Sequence, residues 1–198
     1  MKKGLSWGIA AAVVGVIVVY AISTYNSMVK KDEGVQGAWS QVENVYQRRA
    51  DLIPQLVSVV KGAADYERNT LEAVMEARSK ATSVQLSADD LTEENMAKFQ
   101  KAQDQLSSAL SRLMAVHEAY PELKANENFR DLQTQLEGTE NRIATERKKF
   151  NEVVQNYNSY IRRFPANIFA GMFGFDKKAY FKSAEGADKA PEVNFNFD

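Results

Sequence analysis

The stretch Val35–Tyr66, VQGAWSQVENVYQRRADLIPQLVSVVKGAADY, decides the fold of this chain. Within it Val35, Ala38, Val42, Val45, Arg49, Leu52, Leu56, Val59, Ala63 and Tyr66 recur in steps of three and four. That spacing is the stripe a helix needs to bury one face against its neighbours. Arg49 is the one charge in the stripe. The alternation continues, shifted by a residue, through Leu71, Val74 and Arg78, so a helix unbroken from Tyr25 to Lys80 would reach about 80 Å. Pro54 stands against that continuity. Inside a helix, proline removes one backbone bond and crowds the carbonyl four residues back, at about 3 kcal/mol if nothing compensates. It marks either a kink or a junction between two helices.

Further along, Ser83–Asp90 replaces the stripe with polar turn formers and reads as a loop, with Ser87 or Asp89 placed to cap the next helix. A second long helix follows with Met96, Phe99, Gln103, Leu106, Leu110, Leu113, His117 and Tyr120 on one face, stopped by Pro121. A third opens at Asn126 as N-cap and places Phe129, Leu132, Leu136, Thr139, Ile143, Phe150, Val154, Tyr157, Ile161 and Phe164 inside, ending at Pro165. Between Ala38 and Phe164 the only glycines are Gly62 and Gly138, and the only prolines Pro54 and Pro121, so long helices are nearly all that fits. The expected fold is all-α, an antiparallel up-down bundle of three or four helices.

Upstream, the chain differs in kind. After Lys2 and Lys3 no charge occurs until Lys30, and Leu5–Ile22, LSWGIAAAVVGVIVVYAI, is an almost unbroken apolar run. At 1.5 Å per residue it matches a hydrocarbon core of roughly 30 Å. It is longer than the roughly 7–15 apolar residues of a signal peptide, and Ala21-Ile22-Ser23 is a poor cleavage match, so an uncleaved transmembrane anchor is expected over residues 1–24. Trp7, Tyr20 and Tyr25 near its ends suit the interface. Basic residues lie on both sides (Lys2 and Lys3, Lys30 and Lys31), with the balance favouring an N-inside topology and the bundle outside the cytoplasm.

Downstream of Pro165, Ile168, Phe169, Met172, Phe173 and Phe175 crowd around Gly171 and Gly174, too short to span a membrane and too apolar to be left in water. They suit a segment folded back on the bundle, or one resting against the membrane or a partner. The bundle is expected over residues 25–182, followed by a flexible tail, 183–198, whose alternating Val193, Phe195 and Phe197 could add to a partner's sheet edge.

The chemistry that remains is restricted. The 198 residues include no cysteine and one histidine, with 25 basic against 26 acidic side chains and a net charge of -1. Without cysteine there is no disulfide or thiolate site, and the neutral balance lacks the concentrated basic surface of a nucleic-acid binder. His117 lies on an apolar stripe and reads as a core or interface histidine; the residue three before it is Met114, so the Glu-x-x-His of a di-iron bundle is missing. No phosphate loop, dinucleotide fingerprint, zinc helix or nucleophile elbow is present. No catalytic, cofactor or metal residues are therefore expected. The candidates for binding a partner are Arg48, Arg49 and Asp51, read as lining a groove for a partner's acidic segment because arginine's planar fork suits carboxylates, with Trp39, Phe173 and Phe175. The competing reading has the charged three satisfying groups freed at Pro54, and Trp39 with Tyr46, seven apart, packing in the core.

Tyr25-Asn26, Ala38-Trp39-Ser40, Arg48-Arg49-Ala50-Asp51-Leu52-Ile53-Pro54-Gln55-Leu56-Val57, Val60-Lys61-Gly62, Glu67 and Ala77-Arg78 occur in this order, as do Tyr157-Asn158, Phe164-Pro165, Gly174-Phe175 and Pro191-Glu192-Val193-Asn194-Phe195. Together they resemble the LemA family over nearly the whole chain, most specifically in the RR-x-DLIP-x-LV string. The resemblance implies a bacterial protein with one N-terminal membrane helix and a helical bundle, and no established enzymatic activity. The functional expectation is a membrane-anchored scaffold in the bacterial envelope that engages another envelope protein, with self-association open to its long amphipathic helices. A lipid-contacting or membrane-remodelling protein is the alternative.

Overall fold

The computed structural model describes residues 2–63 and 68–182. The tail 183–198, with its aromatic alternation, lies outside the described residues, as do Tyr66 and Glu67. Helix α1 (Lys2–Ala63) is followed by α2 (Arg68–Ser83), a 3-10 turn (Ala88–Asp90), α3 (Glu93–Ala119), the short α4 (Pro121–Ala125), α5 (Glu127–Ile161) and α6 (Ala166–Phe173). No strand occurs among the described residues.

The expectation of one helix to Lys80 needs correction. α1 ends at Ala63, and α2 runs back along it, since the Arg78 side chain lies beside Ala50. α1 packs chiefly on α5 and α2 on α3, which yields the antiparallel bundle. Pro54 lies inside α1 without splitting it. The cap of α3 also differs from expectation: Ser87 spends its hydroxyl on Asp90 Oδ2 at 2.7 Å, and Thr92 Oγ1 accepts instead from the Asn95 amide at 3.2 Å. Asn126 caps α5 as expected, accepting from the Phe129 amide at 3.1 Å.

The buried seam of α1 is Val35, Trp39, Val42, Tyr46, Arg49, Ile53, Leu56 and Val60, spaced alternately by four and three. It lies beside the stripe read from the sequence. Trp39, Tyr46, Ile53 and Val60 are inside, whereas Ala38, Val45 and Val59 are only partly covered. On α3 the seam is Met96, Phe99, Gln103, Leu106, Leu110 and Leu113. These residues close over two apolar clusters, one toward the N-terminal end around Trp39, Phe99, Phe150 and Tyr157, the other around Ile53, Leu56, Leu110 and Phe129. Phe164, expected inside, is 82% exposed, because α5 ends three residues earlier at Ile161.

After α6 the chain turns at Gly174, whose φ of 74° is a left-handed conformation costing glycine little. It then runs extended along α5 and α3 as a strap held by side-chain amides. Asn158 donates to the Lys178 carbonyl at 2.8 Å and accepts from its amide at 3.0 Å. Asn151 does the same to Phe181, at 3.0 and 2.9 Å. Gln100 repeats the arrangement on Lys182, at 2.8 and 3.3 Å. These contacts read main chain, and side chains of the strap add to them: Phe181 stacks on Trp39 at 6.1 Å and meets Phe150 edge-on at 5.5 Å, and Lys178 Nζ donates to the Ala88 carbonyl at 3.0 Å.

Candidate functional site

One member of the conspicuous charged string, Arg49, is the centre of a buried polar layer. Arg49 occupies a seam position of α1, 1% exposed, at the level where Gln103 and Thr139 interrupt the seams of α3 and α5. Its Nη1 donates to Glu140 Oε1 and to the Ser107 hydroxyl, both at 2.8 Å, and its Nη2 to Gln103 Oε1 at 2.6 Å. Gln103 in turn donates through Nε2 to the Ala81 carbonyl at 3.2 Å, so the layer joins α1, α3, α5 and α2. The guanidinium also lies 5.1 Å from the Tyr46 ring centroid, and its Nε is, among the described residues, the one buried side-chain polar atom left without a hydrogen-bond partner. A polar group at a seam position admits few registers, since sliding one helix by a turn would leave it buried and unpaired.

Five residues on, the same string raises the problem of Pro54. Without an N–H at Pro54, the Ala50 carbonyl loses its helical partner. Arg78 Nε, from α2, donates to that carbonyl at 2.7 Å. The helix therefore passes through proline with its backbone satisfied, and the bond that does so fastens α2 to α1. The compensation comes from Arg78, which the sequence places 28 residues away from Ala50, and not from its neighbours Arg48, Arg49 or Asp51.

The six candidate residues are thus divided. Arg49 and Trp39 are interior; Trp39 Nε1 donates to the Leu86 carbonyl at 2.9 Å and its ring meets Phe99 and Phe150 edge-on. Arg48 and Asp51 are exposed, Asp51 accepting from Gln47 Nε2 at 2.8 Å within its own helix. Phe173 and Phe175 lie at the other end of the molecule, edge-on to Tyr25 at 5.0 and 5.8 Å. The structure brings together no site containing all six. Arg78, Gln103 and Glu140 escape a sequence reading centred on the RR-x-DLIP string; the polar interruptions at Gln103 and Thr139, level with Arg49, are the available signal.

A groove beside the 84–88 loop is lined by Trp39, Glu43, Tyr46, Leu86 and Gln103. Burial pushes the Glu43 carboxyl up, partly offset by the polar N–H edge of the nearby Trp39 indole. Glu43 is the single carboxylate in the groove lining, and the Tyr46 hydroxyl accepts from Arg147 Nε, so no acid–base pair faces the space. Among the described residues no cluster of acidic or histidine side chains is arranged to hold a metal. The His117 side chain lies outside the described ones.

The N-terminal part of α1 is long and apolar enough to cross a membrane, and apolar side chains along it stand exposed: Val14 is 59% and Val16 70% exposed. The LemA family model matches residues 38–195, which includes the Arg49 layer, Pro54, Arg78 and the strap. Two magnetosome proteins, MamQ 1 and MamQ 2 of Paramagnetospirillum magneticum, are each 28% identical over 181 residues, covering 83% of this chain and 66% of theirs. The chain thus spans just under two thirds of the length of these relatives. Protein LemA of Metamycoplasma hominis is 22% identical over 172 residues, covering 87% of this chain and 75% of its own. A helical bundle carried on an apolar N-terminal helix, matched by the family model over most of its length, makes this chain a member of the LemA family.

Proposed function

We propose that this chain is a membrane-anchored, non-enzymatic interaction module of the bacterial envelope, its bundle outside the cytoplasm and its exposed faces presented to another envelope protein. One observation carries the reading: the apolar span and the longest helix of the bundle are a single helix, α1, continuous through Pro54. A rigid stalk of this kind holds docking faces at a set height above a bilayer, which a contact function needs and a freely diffusing enzyme does not. Glu43 without a second acid or base in its groove supports the non-catalytic part. The outward residues of the candidate set, Arg48, Asp51, Phe173 and the half-buried Phe175, are the partner-facing ones in this reading. Copies of the chain are a further class of partner.

The test is cross-linking in intact membranes from a photoreactive residue placed at Arg48. Recovery of a specific envelope protein supports the reading; recovery of nothing specific, or of lipid alone, counts against it. Contact with lipid is the second reading, favoured by the exposed apolar face of α6 beside the span.

A further inference from the structure

α6 carries two faces of opposite character. Ala166 and Ala170 are buried, and their small side chains let the helix close on the bundle. Outward stand Ile168 and Met172, four apart and 52% and 70% exposed, with Phe173 at 48% and, in the turn that precedes the helix, Phe164 at 82%. An apolar patch of this kind does not stay in water without a function. Its place in the molecule is informative. Phe169 meets Tyr20 at 6.1 Å and Phe173 meets Tyr25 at 5.0 Å, so α6 lies against the end of the apolar part of α1, where its aromatic residues suit the bilayer boundary. The patch is therefore continuous with the bare apolar surface of the span. Exposed Lys30, Arg162, Arg163 and Lys177 border the same end, while of the acids there Asp32 lies 3.5 Å from Lys178 Nζ, leaving Glu33 and Asp176 as the opposing charges.

We propose that α6 lies flat in the headgroup region of the leaflet that α1 enters, its outer face in the acyl boundary and the neighbouring basic residues against anionic headgroups. An eight-residue helix is about 12 Å long, and amphipathic helices in this position sink by about 5–10 Å, the depth of one side-chain layer. With α1 as one point of attachment and α6 as a second, the bundle is fixed in tilt as well as in height. The proposal rests on the membrane anchor and deepens the lipid-contact reading.

The test uses the full chain in nanodiscs of phosphatidylcholine with phosphatidylglycerol, spin-labelled at single cysteines, since there is no native thiol. Labels enter by Val14→Cys in the span, Met172→Cys on α6 and Ser40→Cys, exposed on α1 and about 30 Å beyond Tyr20. Collision with oxygen, which partitions into lipid, is compared with collision with a water-soluble nickel chelate. The expected oxygen-to-nickel ratio is high at position 172, close to that at position 14 and several-fold above that at 40; it falls at 172 in phosphatidylcholine alone. A water-like ratio at 172 with a lipid-like one at 14 overturns the α6 proposal and leaves the anchor standing. A label at 172 shielded from both reagents means that a second copy or another protein covers the patch, and also overturns it. A water-like ratio at 14 removes the anchor and the proposal with it. A ratio at 172 unchanged without anionic lipid overturns the role given to the basic residues.

Discussion

Glu140→Ala should destabilise the bundle far more than its half-exposed position suggests. The Glu140 side chain is 40% exposed and that of Arg49 is 2% exposed, so the pair is buried on one side only. An exposed ion pair contributes about 0–1 kcal/mol. Here, removing the carboxylate strands a guanidinium in the interior with only the Ser107 hydroxyl and the Gln103 amide oxygens as partners, a situation that costs about 3–5 kcal/mol when a fully buried pair is broken. Partial hydration of Glu140 in the native protein reduces that to about 2–4 kcal/mol. Arg49→Met behaves differently. The freed carboxylate turns to water, the partnerless Nε disappears, and the residual penalty is the unpaired Gln103 Oε1, about 1–2 kcal/mol. The double variant should be no less stable than Arg49→Met alone, giving a coupling energy of about 2–4 kcal/mol, the full cost of Glu140→Ala. Urea titration of the full chain in detergent micelles, followed by Trp39 emission in a Trp7→Phe background, measures all four corners of the cycle. Strict additivity, or a Glu140→Ala variant within about 0.5 kcal/mol of the parent, would refute the layer as described.

Other predictions follow from the same contacts. Arg78→Met should cost about 1–3 kcal/mol by orphaning the Ala50 carbonyl, and most of that loss should vanish in a Pro54→Ala background, where the helix supplies its own donor; an equal loss in both backgrounds would separate Arg78 from the proline. Phe181→Ala should cost about 3–5 kcal/mol, and Asn158→Leu should expose the strap to a protease near Lys177 and Lys178 while leaving the helices intact by circular dichroism. Burial raises the Tyr157 phenol above its usual range, with Asp32 and Asp176 adding to the effect, and burial likewise raises Tyr46 despite Arg147 and Arg49. The native phenols keep protons that the unfolded ones lose above about pH 10, so their contribution is complete below that pH and falls by up to about 1.4 kcal/mol per pH unit per tyrosine above it. Tyr157→Phe should flatten the alkaline limb of a stability–pH profile.

The helical class was legible because breakers are few and the three-four stripes are long. Where the reading missed, the cause was that a stripe specifies a face only to within a residue or so. Ala38, Val45 and Val59 share the apolar character of the seam, and choosing them shifted the predicted face away from Trp39, Tyr46, Ile53 and Val60. Arg49 was visible as an anomaly, yet its partners lie 54 to 91 residues away, and no local pattern joins them. The same holds for Pro54: its cost is local, while its compensation arrives from Arg78 on another helix. Phe164 shows the limit of periodicity at a helix end, for the stripe continues in the sequence after the backbone has left the helix at Ile161. The strap was least legible, because Asn151, Asn158 and Gln100 bind main chain and place no demand on the sequence they hold.

The central claim is that span and bundle form one rigid unit joined by an unbroken α1. It is tested most directly by electron–electron distance measurement between spin labels introduced by Val19→Cys and Lys61→Cys in the full chain in nanodiscs. A continuous helix through Pro54 places these backbone positions about 63 Å apart with a narrow distribution. A distribution that is broad, or centred well below that distance, would mean a hinge between membrane and bundle and would contradict the account.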